Sequence, residues 1–208
     1  MPSFPITLTR YILHEQASHP EATGEFSALM AQIGLAGKMV AHDLRRAGLI
    51  NVLGVTGATN VQGEAVKKLD ELANETFVRV FQFSGLVCAL ASEEMEQPLY
   101  LPENWPRGKY MLLVDPLDGS SNTDVNMPLG TIFSILRYEG RDKLPSEGDL
   151  IRGGREQVAA GYLSYGTSTV LVFTVGQGVH GFTLDPGVGE YVLSHEHITM
   201  PARGKQYA

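Results

Sequence analysis

Cysteine is nearly missing from this sequence: Cys88 stands alone among 208 residues. That excludes an internal disulfide framework and suits a reducing compartment. Inside the apolar run Leu86 to Leu90, Cys88 reads as a small core filler rather than a catalytic thiol. Positive charge is also short. With 16 Lys and Arg against 23 Asp and Glu, the formal net charge is -7. No Lys/Arg run offsets it, so nucleic acid is not an expected partner. No uncharged apolar stretch is long enough to cross a bilayer, and no basic-then-apolar leader opens the chain. The expectation is a soluble cytoplasmic protein without a membrane partner. Internal repeats and low-complexity tracts are missing too. The chain is 43% hydrophobic and 19% charged, enough apolar material for a real core in one large domain or a domain and a half.

Residues 1–24 read as an extended arm, with Pro2, Pro5 and Pro20 and one short helical piece around Leu8 to Glu15. A helix is predicted from near Thr23, with Thr23 as its N-cap and Glu25 in the first turn, where the helix dipole favours an anion. Phe26, Met30, Ile33, Met39, Val40 and Leu44 fall near one face of it. Arg45 and Arg46 occupy the last turn, and Gly48 is a natural stop. The glycine-rich segment Asn51 to Gly63 reads as a mobile loop. A second helix is expected from about Glu64 to Phe81, with Val66, Leu69, Ala73, Phe77 and Val80 inward. Six strand-like runs follow: Leu86–Ser92, Lys109–Asp115, Thr131–Tyr138, Val158–Ser164, Thr169–Val175 and Val179–Leu184. Two helices and then strands predict an α+β class, a layered α/β sandwich with the N-terminal helices packed on a large mixed or antiparallel sheet. The polar stretch Glu139 to Gly154 reads as an exposed loop.

The informative stretch is Val114-Asp115-Pro116-Leu117-Asp118-Gly119-Ser120-Ser121-Asn122. An apolar strand delivers Asp115 to its end, Pro116 halts the strand, and Asp118 returns to the same side across a tight turn. Two such carboxylates can share a hard cation, with oxygens at about 2.0–2.1 Å for Mg²⁺, and the turn exposes the Leu117 carbonyl as a further oxygen. Gly119-Ser120-Ser121 then offers consecutive N–H groups and hydroxyls to a phosphate. Taken alone, Asp115 and Asp118 are better explained as turn formers. A second acidic cluster, Glu93-Glu94, ends another apolar run. If the two strands are adjacent, three or four carboxylates converge and repel unless a cation neutralises them.

Asp-Pro-Leu-Asp-Gly-Ser-Ser-Asn resembles the signature of class I fructose-1,6-bisphosphatases within the lithium-sensitive phosphatase superfamily. The Ser-Ser-Asn ending separates it from the shorter form usual in inositol monophosphatases. The resemblance continues through Thr7-Leu8-Thr9-Arg10, Thr23-Gly24-Glu25, Asn60-Val61-Gln62-Gly63-Glu64, Lys67-Lys68-Leu69-Asp70, Arg107-Gly108-Lys109-Tyr110, Gly130-Thr131-Ile132-Phe133 and Ala159-Ala160-Gly161-Tyr162, nearly the whole chain in order. It implies that Glu93, Asp115, Asp118 and the Leu117 carbonyl ligate metal, with Glu64 as an auxiliary ligand where other members carry Asp. It implies two to three Mg²⁺ per subunit, for which Mn²⁺ or Zn²⁺ can substitute. Glu94 and Asp70 resemble the pair that activates water, although Asp70 equally suits a polar helix face beside Lys67 and Lys68. Asp118, Gly119, Ser120, Ser121 and Asn122 would hold the substrate phosphate. The implied activity is hydrolysis of the 1-phosphate of fructose 1,6-bisphosphate, in gluconeogenesis or Calvin-type sugar metabolism, by metal-activated water.

The start of the first helix offers unpartnered N–H groups to an anion, yet by physics alone ordinary capping explains it better. The resemblance makes Thr23, Gly24, Glu25, Ser27, Lys109, Tyr110 and Arg137 an allosteric AMP site. It also implies a homotetramer. The expected organisation is an arm over 1–24, a metal- and AMP-binding phosphatase domain over 25–200, and over 201–208 the start of a connection to a second sugar-phosphatase domain missing from the chain. Sedoheptulose-1,7-bisphosphatase activity, an inositol-phosphatase-like activity and an inactive AMP-binding fragment are the alternatives. His195-Glu196-His197 could be a metal pair at strand spacing, though exposed histidines on a terminal strand are commoner. Arg152-Gly153-Gly154-Arg155 is too short to imply nucleic acid.

Overall fold

The structure, a computed structural model, describes residues 5–17, 23–49, 54–59, 65–101, 107–125, 127–140 and 143–204. It opens with α1 (Leu8–Gln16), capped by the Thr7 hydroxyl accepting from the Arg10 amide at 3.2 Å. Although it lies in the stretch read as an arm, α1 buries Leu8 and Ile12 in the core. The long α2 (Glu25–Arg46) follows. Its buried stripe is Leu29, Met30, Ile33, Ala36 and Val40, whose spacings of three and four residues keep one face inward. Met39 falls off that stripe and is exposed. The helix starts one residue later than a Thr23 cap would place it. Gly24 is the N-cap, at φ +81, and no side chain caps the helix. A left-handed φ is one that only glycine adopts cheaply, so the Thr23 hydroxyl is turned elsewhere.

Of the stretch Asn51 to Gly63, expected as a loop, only residues 54–59 are described, and all but Gly54 form a strand rather than a loop. β1 (Val55–Thr59) pairs antiparallel with β2 (Ala65–Lys67). The ladder therefore takes the residues that would have opened the second helix, and α3 runs Lys68–Gln82. Leu69, Ala73, Phe77 and Phe81 are buried along α3, and a fully buried Leu or Phe side chain contributes about 1.5–3 kcal/mol.

The sheet has eight strands: β3 (Val87–Ser92), β4 (Leu99–Tyr100), β5 (Tyr110–Asp118), β6 (Leu129–Arg137), β7 (Gln157–Tyr165), β8 (Thr169–Thr174), β9 (Val179–Asp185) and β10 (Glu190–His195). β4 and β10 add to the six runs read from the sequence. β4 is only two residues long, and β10 is held by β9 and by a bridge from Val192 to Thr7. The order is β10-β9-β8-β7-β6-β5-β3-β4. All neighbours are antiparallel except β3 and β5, which run parallel with Ser92 opposite Val114. That exception brings the ends of β3 and β5 to the same edge, side by side.

Alternation sorts β5 by face. Tyr110, Leu112 and Val114 join the core beneath α2 and α3. Met111 and Leu113 look the other way, towards Leu136 and Leu150. The second face is only partly covered. Leu150, on the short α4 (Glu147–Leu150), seals one patch, so the polar stretch after β6 is not all exposed loop. Further along, Ile132 and Tyr162 are about half exposed, at 50% and 48%. The fold is α+β, with α1, α2 and α3 on one face of a mixed sheet and the short α4 on the other.

Candidate functional site

Pro116 does not stop its strand. β5 continues to Asp118, but Asp115 faces Ile132 and Asp118 faces Gly130 on β6. Two residues on β5 thus oppose one on β6, a bulge that re-aims the side chains around it. The Leu117 amide, freed from the ladder, donates to Asp115 Oδ1 at 3.1 Å. The Glu93 amide donates to the Val114 carbonyl at 3.1 Å, extending the parallel pairing past the end of β3. Glu93, Asp115, Asp118, Gly119 and Asn122 all line one trough of about 1010 Å³ over the open face of the sheet.

Electrostatics there is one-sided. Burial first, and then the Glu93 carboxylate beside it, push Asp115 up to about 7; Asp118 adds a smaller push and the Leu117 amide opposes them. Two carboxyl groups this close disfavour double ionisation, so a proton or a cation between them is favourable. The donor set is all hard oxygen, suited to Mg²⁺ or Mn²⁺. Among the described residues, no three His, Cys, Asp or Glu side chains are yet drawn together tightly enough to hold a metal ion. Glu64, expected as an auxiliary ligand, lies outside the described residues.

Past Asp118 the chain turns at Gly119, φ +80, again a conformation suited to glycine. A 3₁₀ turn over Ser120–Val125 follows, closed by the Asn122 amide donating to the Gly119 carbonyl at 2.9 Å. Gly119 and Asn122 face the trough, whereas Ser120 and Ser121 are not among its lining residues and Ser121 is exposed. Lys67 reaches this turn from the base of the β1–β2 pair: its Nζ donates to the Ser121 carbonyl at 3.3 Å and to Thr123 Oγ1 at 3.1 Å. The sequence marks Lys67 only as a neighbour of Asp70. Asp70 itself is buried, and its Oδ2 accepts from the Lys67 amide at 2.8 Å at the head of α3. It is therefore not the exposed helix-face residue that its lysine neighbours allowed. Glu94 follows β3, with its amide donating to Ser92 Oγ at 3.3 Å.

A second pocket, of about 380 Å³, opens at the start of α2. Thr23, Gly24, Ser27, Lys109, Tyr110 and Arg137 all line it. Glu25 does not line it, but its carboxylate pairs with Lys109 Nζ at 2.9 Å, and the same ammonium donates to Thr23 Oγ1 at 2.9 Å. Lys109 has thus claimed the hydroxyl expected to cap α2. Arg137 Nε pairs with Glu139 at 2.9 Å, and the Phe26 ring meets Tyr110 edge-on at 6.0 Å. Tyr11 and Gln16 of α1 complete the wall, with Ser27 Oγ donating to Gln16 Oε1 at 2.6 Å. No local signal marked those two residues, because only the packing of α1 on α2 brings them in.

Three weaker sequence features resolve simply. Cys88 is buried and its thiol donates to the Tyr110 carbonyl at 3.2 Å; burial pushes it up to about 11, so it is an inert filler. β10 ends at His195, which meets Ser194 Oγ at 2.9 Å, while His197 turns to φ 49 and packs its ring on His180 at 4.7 Å. His195 and His197 are therefore not a strand-spaced pair. Arg152 Nη1 donates to the Arg137 carbonyl at 3.1 Å. No helix among the described residues is long and apolar enough to cross a membrane.

Comparison with known proteins agrees with this geometry. A family model described as fructose-1-6-bisphosphatase, N-terminal domain, matches residues 6–196. The class 1 fructose-1,6-bisphosphatase of Trichormus variabilis is 56% identical over 97% of this chain and 58% of its own length. That of Trichodesmium erythraeum is 54% identical over 97% and 57%. Among solved structures, Leishmania major fructose-1,6-bisphosphatase in holo form superposes with a TM-score of 0.89 at 39% identity, covering 97% of this chain and 62% of that one. Its T-state structure gives 0.80 at 38% identity, covering 97% and 60%. The chain spans about three-fifths of the length of the relatives it matches. It belongs to the fructose-1,6-bisphosphatase family and corresponds to that family's N-terminal domain.

Proposed function

We propose that these residues form the metal- and phosphate-binding part of an enzyme that hydrolyses the 1-phosphate of D-fructose 1,6-bisphosphate. The observation that carries this is the parallel β3–β5 pair, which sets Glu93 against Asp115 beside the Gly119 turn, in a chain of this family. Asp115, Asp118, Glu93 and the Leu117 carbonyl would hold Mg²⁺, with Glu64 as an auxiliary ligand. Bound there, the metal supplies a charge sink for the phosphoryl oxygens and lowers the pKa of a nucleophilic water. Gly119, Ser120, Ser121 and Asn122 orient the phosphate through amides and hydroxyls, so the chain contributes positioning and preset dipoles rather than a covalent nucleophile. Glu94 and Asp70 take up the proton of the attacking water. The Asp70 carboxylate is buried and held at the head of α3 by the Lys67 amide, which fixes its position for that role.

The pocket at the start of α2 supports a second element, inhibition by AMP. Lys109 and Arg137 would meet the phosphate while Thr23, Gly24 and Ser27 contact the nucleotide at the helix start. The half-exposed face carrying Ile132 and Tyr162 is where the remaining length found in relatives would pack, and the sugar and its 6-phosphate would be gripped there. Phosphate release from fructose 1,6-bisphosphate with Mg²⁺, measured on this chain and on a protein of the relatives' length, tests the reading. Release by the longer protein, suppressed by AMP, supports it. No release by either sinks the hydrolase assignment and leaves an AMP-binding module.

A further inference from the structure

The bulge in β5 has a cost that the sequence motif does not reveal. Pro116 is buried and has no N–H, and the ladder that would have satisfied its carbonyl is interrupted, since the pairing shifts between Asp115 and Asp118. A buried carbonyl without a donor is unfavourable, so a partner is needed. Thr131 supplies it. This residue is fully buried on β6, facing the interrupted stretch, and its Oγ1 donates to the Pro116 carbonyl at 2.8 Å. A threonine hydroxyl has one proton. With that proton given to Pro116, the contact of 2.7 Å between Thr131 Oγ1 and Tyr165 Oη must run the other way, with tyrosine as donor. Burial holds the Tyr165 phenol far above its ordinary range, so it keeps its proton at any physiological pH. The relay has a fixed direction: Tyr165 to Thr131 to Pro116.

We propose that Thr131 and Tyr165 are positioning residues for the metal turn, a two-hydroxyl relay that locks the Pro116 peptide and so aims the oxygens on either side of it. Pro116 lies between the Asp115 carboxylate and the Leu117 carbonyl, so rotating its peptide plane carries both. This inference rests on the assignment of those oxygens as metal ligands. Neither hydroxyl touches metal or substrate; they act through the backbone, as outer-shell groups that orient ligands do.

The test is Mn²⁺ affinity of the 208-residue chain by electron paramagnetic resonance, with thermal melts of the metal-free variants alongside. Thr131→Val keeps the shape but removes the donor, and is expected to weaken Mn²⁺ binding about 10–100-fold, the usual effect of losing an outer-shell partner. Thr131→Ser restores the hydroxyl and should bind within about threefold of the parent. Tyr165→Phe removes only the outer link and should fall between them. A merely structural role would lower the melting temperature of Thr131→Val while leaving Mn²⁺ affinity within about twofold, and that result overturns the proposal. So does a folded Thr131→Ser as weak as Thr131→Val. Should Thr131→Val fail to fold, Tyr165→Phe decides, parental affinity there refuting the relay. If the unsubstituted chain binds no Mn²⁺, the metal assignment falls first and this inference with it.

Discussion

β5 begins in one site and ends in another, about 20 Å apart at roughly 3.3 Å per residue, and the two ends handle charge in opposite ways. At the start, Lys109 meets Glu25 and Arg137 meets Glu139, each at 2.9 Å. Cations are present there, each paired with one of the protein's own carboxylates. At the far end Glu93 and Asp115 are pressed together with Asp118 nearby. Among the described residues, no Lys or Arg forms an ion pair with any of the three; Lys67, the nearby ammonium, is spent on Ser121 and Thr123. A site whose charges balance internally suits a ligand that comes and goes. One left with surplus negative charge suits a divalent cation, as the proposed function requires.

Four measurements break or sharpen that contrast. The largest effect is shared by both ends: Phe77→Ala removes a fully buried ring from α3, beneath the sheet, and should cost about 3–5 kcal/mol in denaturant unfolding. If it left stability unchanged, the common core joining the two sites would be wrong. Next, Asp115→Asn in a protein of the relatives' length should lower phosphate release on the order of 10²–10³-fold, the scale for losing one preset electrostatic partner of the transition state. Parental activity would break the metal side of the contrast.

Lys109→Met should weaken AMP binding by roughly 10–100-fold, since a charge-assisted hydrogen bond contributes about 1.5–3 kcal/mol. Calorimetric titration with AMP reads this directly, and unchanged affinity would remove the effector assignment. The smallest effect is a pH slope. In the folded, metal-free chain Asp115 holds its proton to about 7, against an ordinary 3.8. The folded state therefore binds more protons than the unfolded state between those values, and its stability falls as pH rises through that window. The melting temperature should be higher at pH 5 than at pH 8, and Asp115→Asn should flatten the difference. Added Mg²⁺ should reverse the slope, because the cation replaces the shared proton.

Much of this was legible in the residues because it is local. The apolar stripe of α2 and the alternating strands follow from side-chain periodicity. Asp115, Asp118 and Gly119 lie within five residues, so their turn could be anticipated. The misreadings share one cause. Proline lacks a ladder donor, which predicts a stop at Pro116, but a bulge absorbs that defect when a hydroxyl from β6 satisfies the carbonyl. Glycine disfavours regular structure, which predicts a loop over Asn51–Gly63, yet in its described part β1 finds a partner in β2. The residue type of Thr23 suits a cap, yet Lys109 takes its hydroxyl.

By itself the sequence determined most of the inward faces of α2 and α3, and which short turn would bring two carboxylates and a glycine together, since those depend on neighbours a few positions away. Tertiary structure alone decided that Glu93 would stand against Asp115, because that needs β3 and β5 to run parallel while their neighbours do not. It also decided that Thr131, 15 residues beyond Pro116, and Tyr165, 34 residues beyond Thr131, would brace that proline. Partners so far apart are chosen by how whole strands register, and no local preference of either residue encodes that choice.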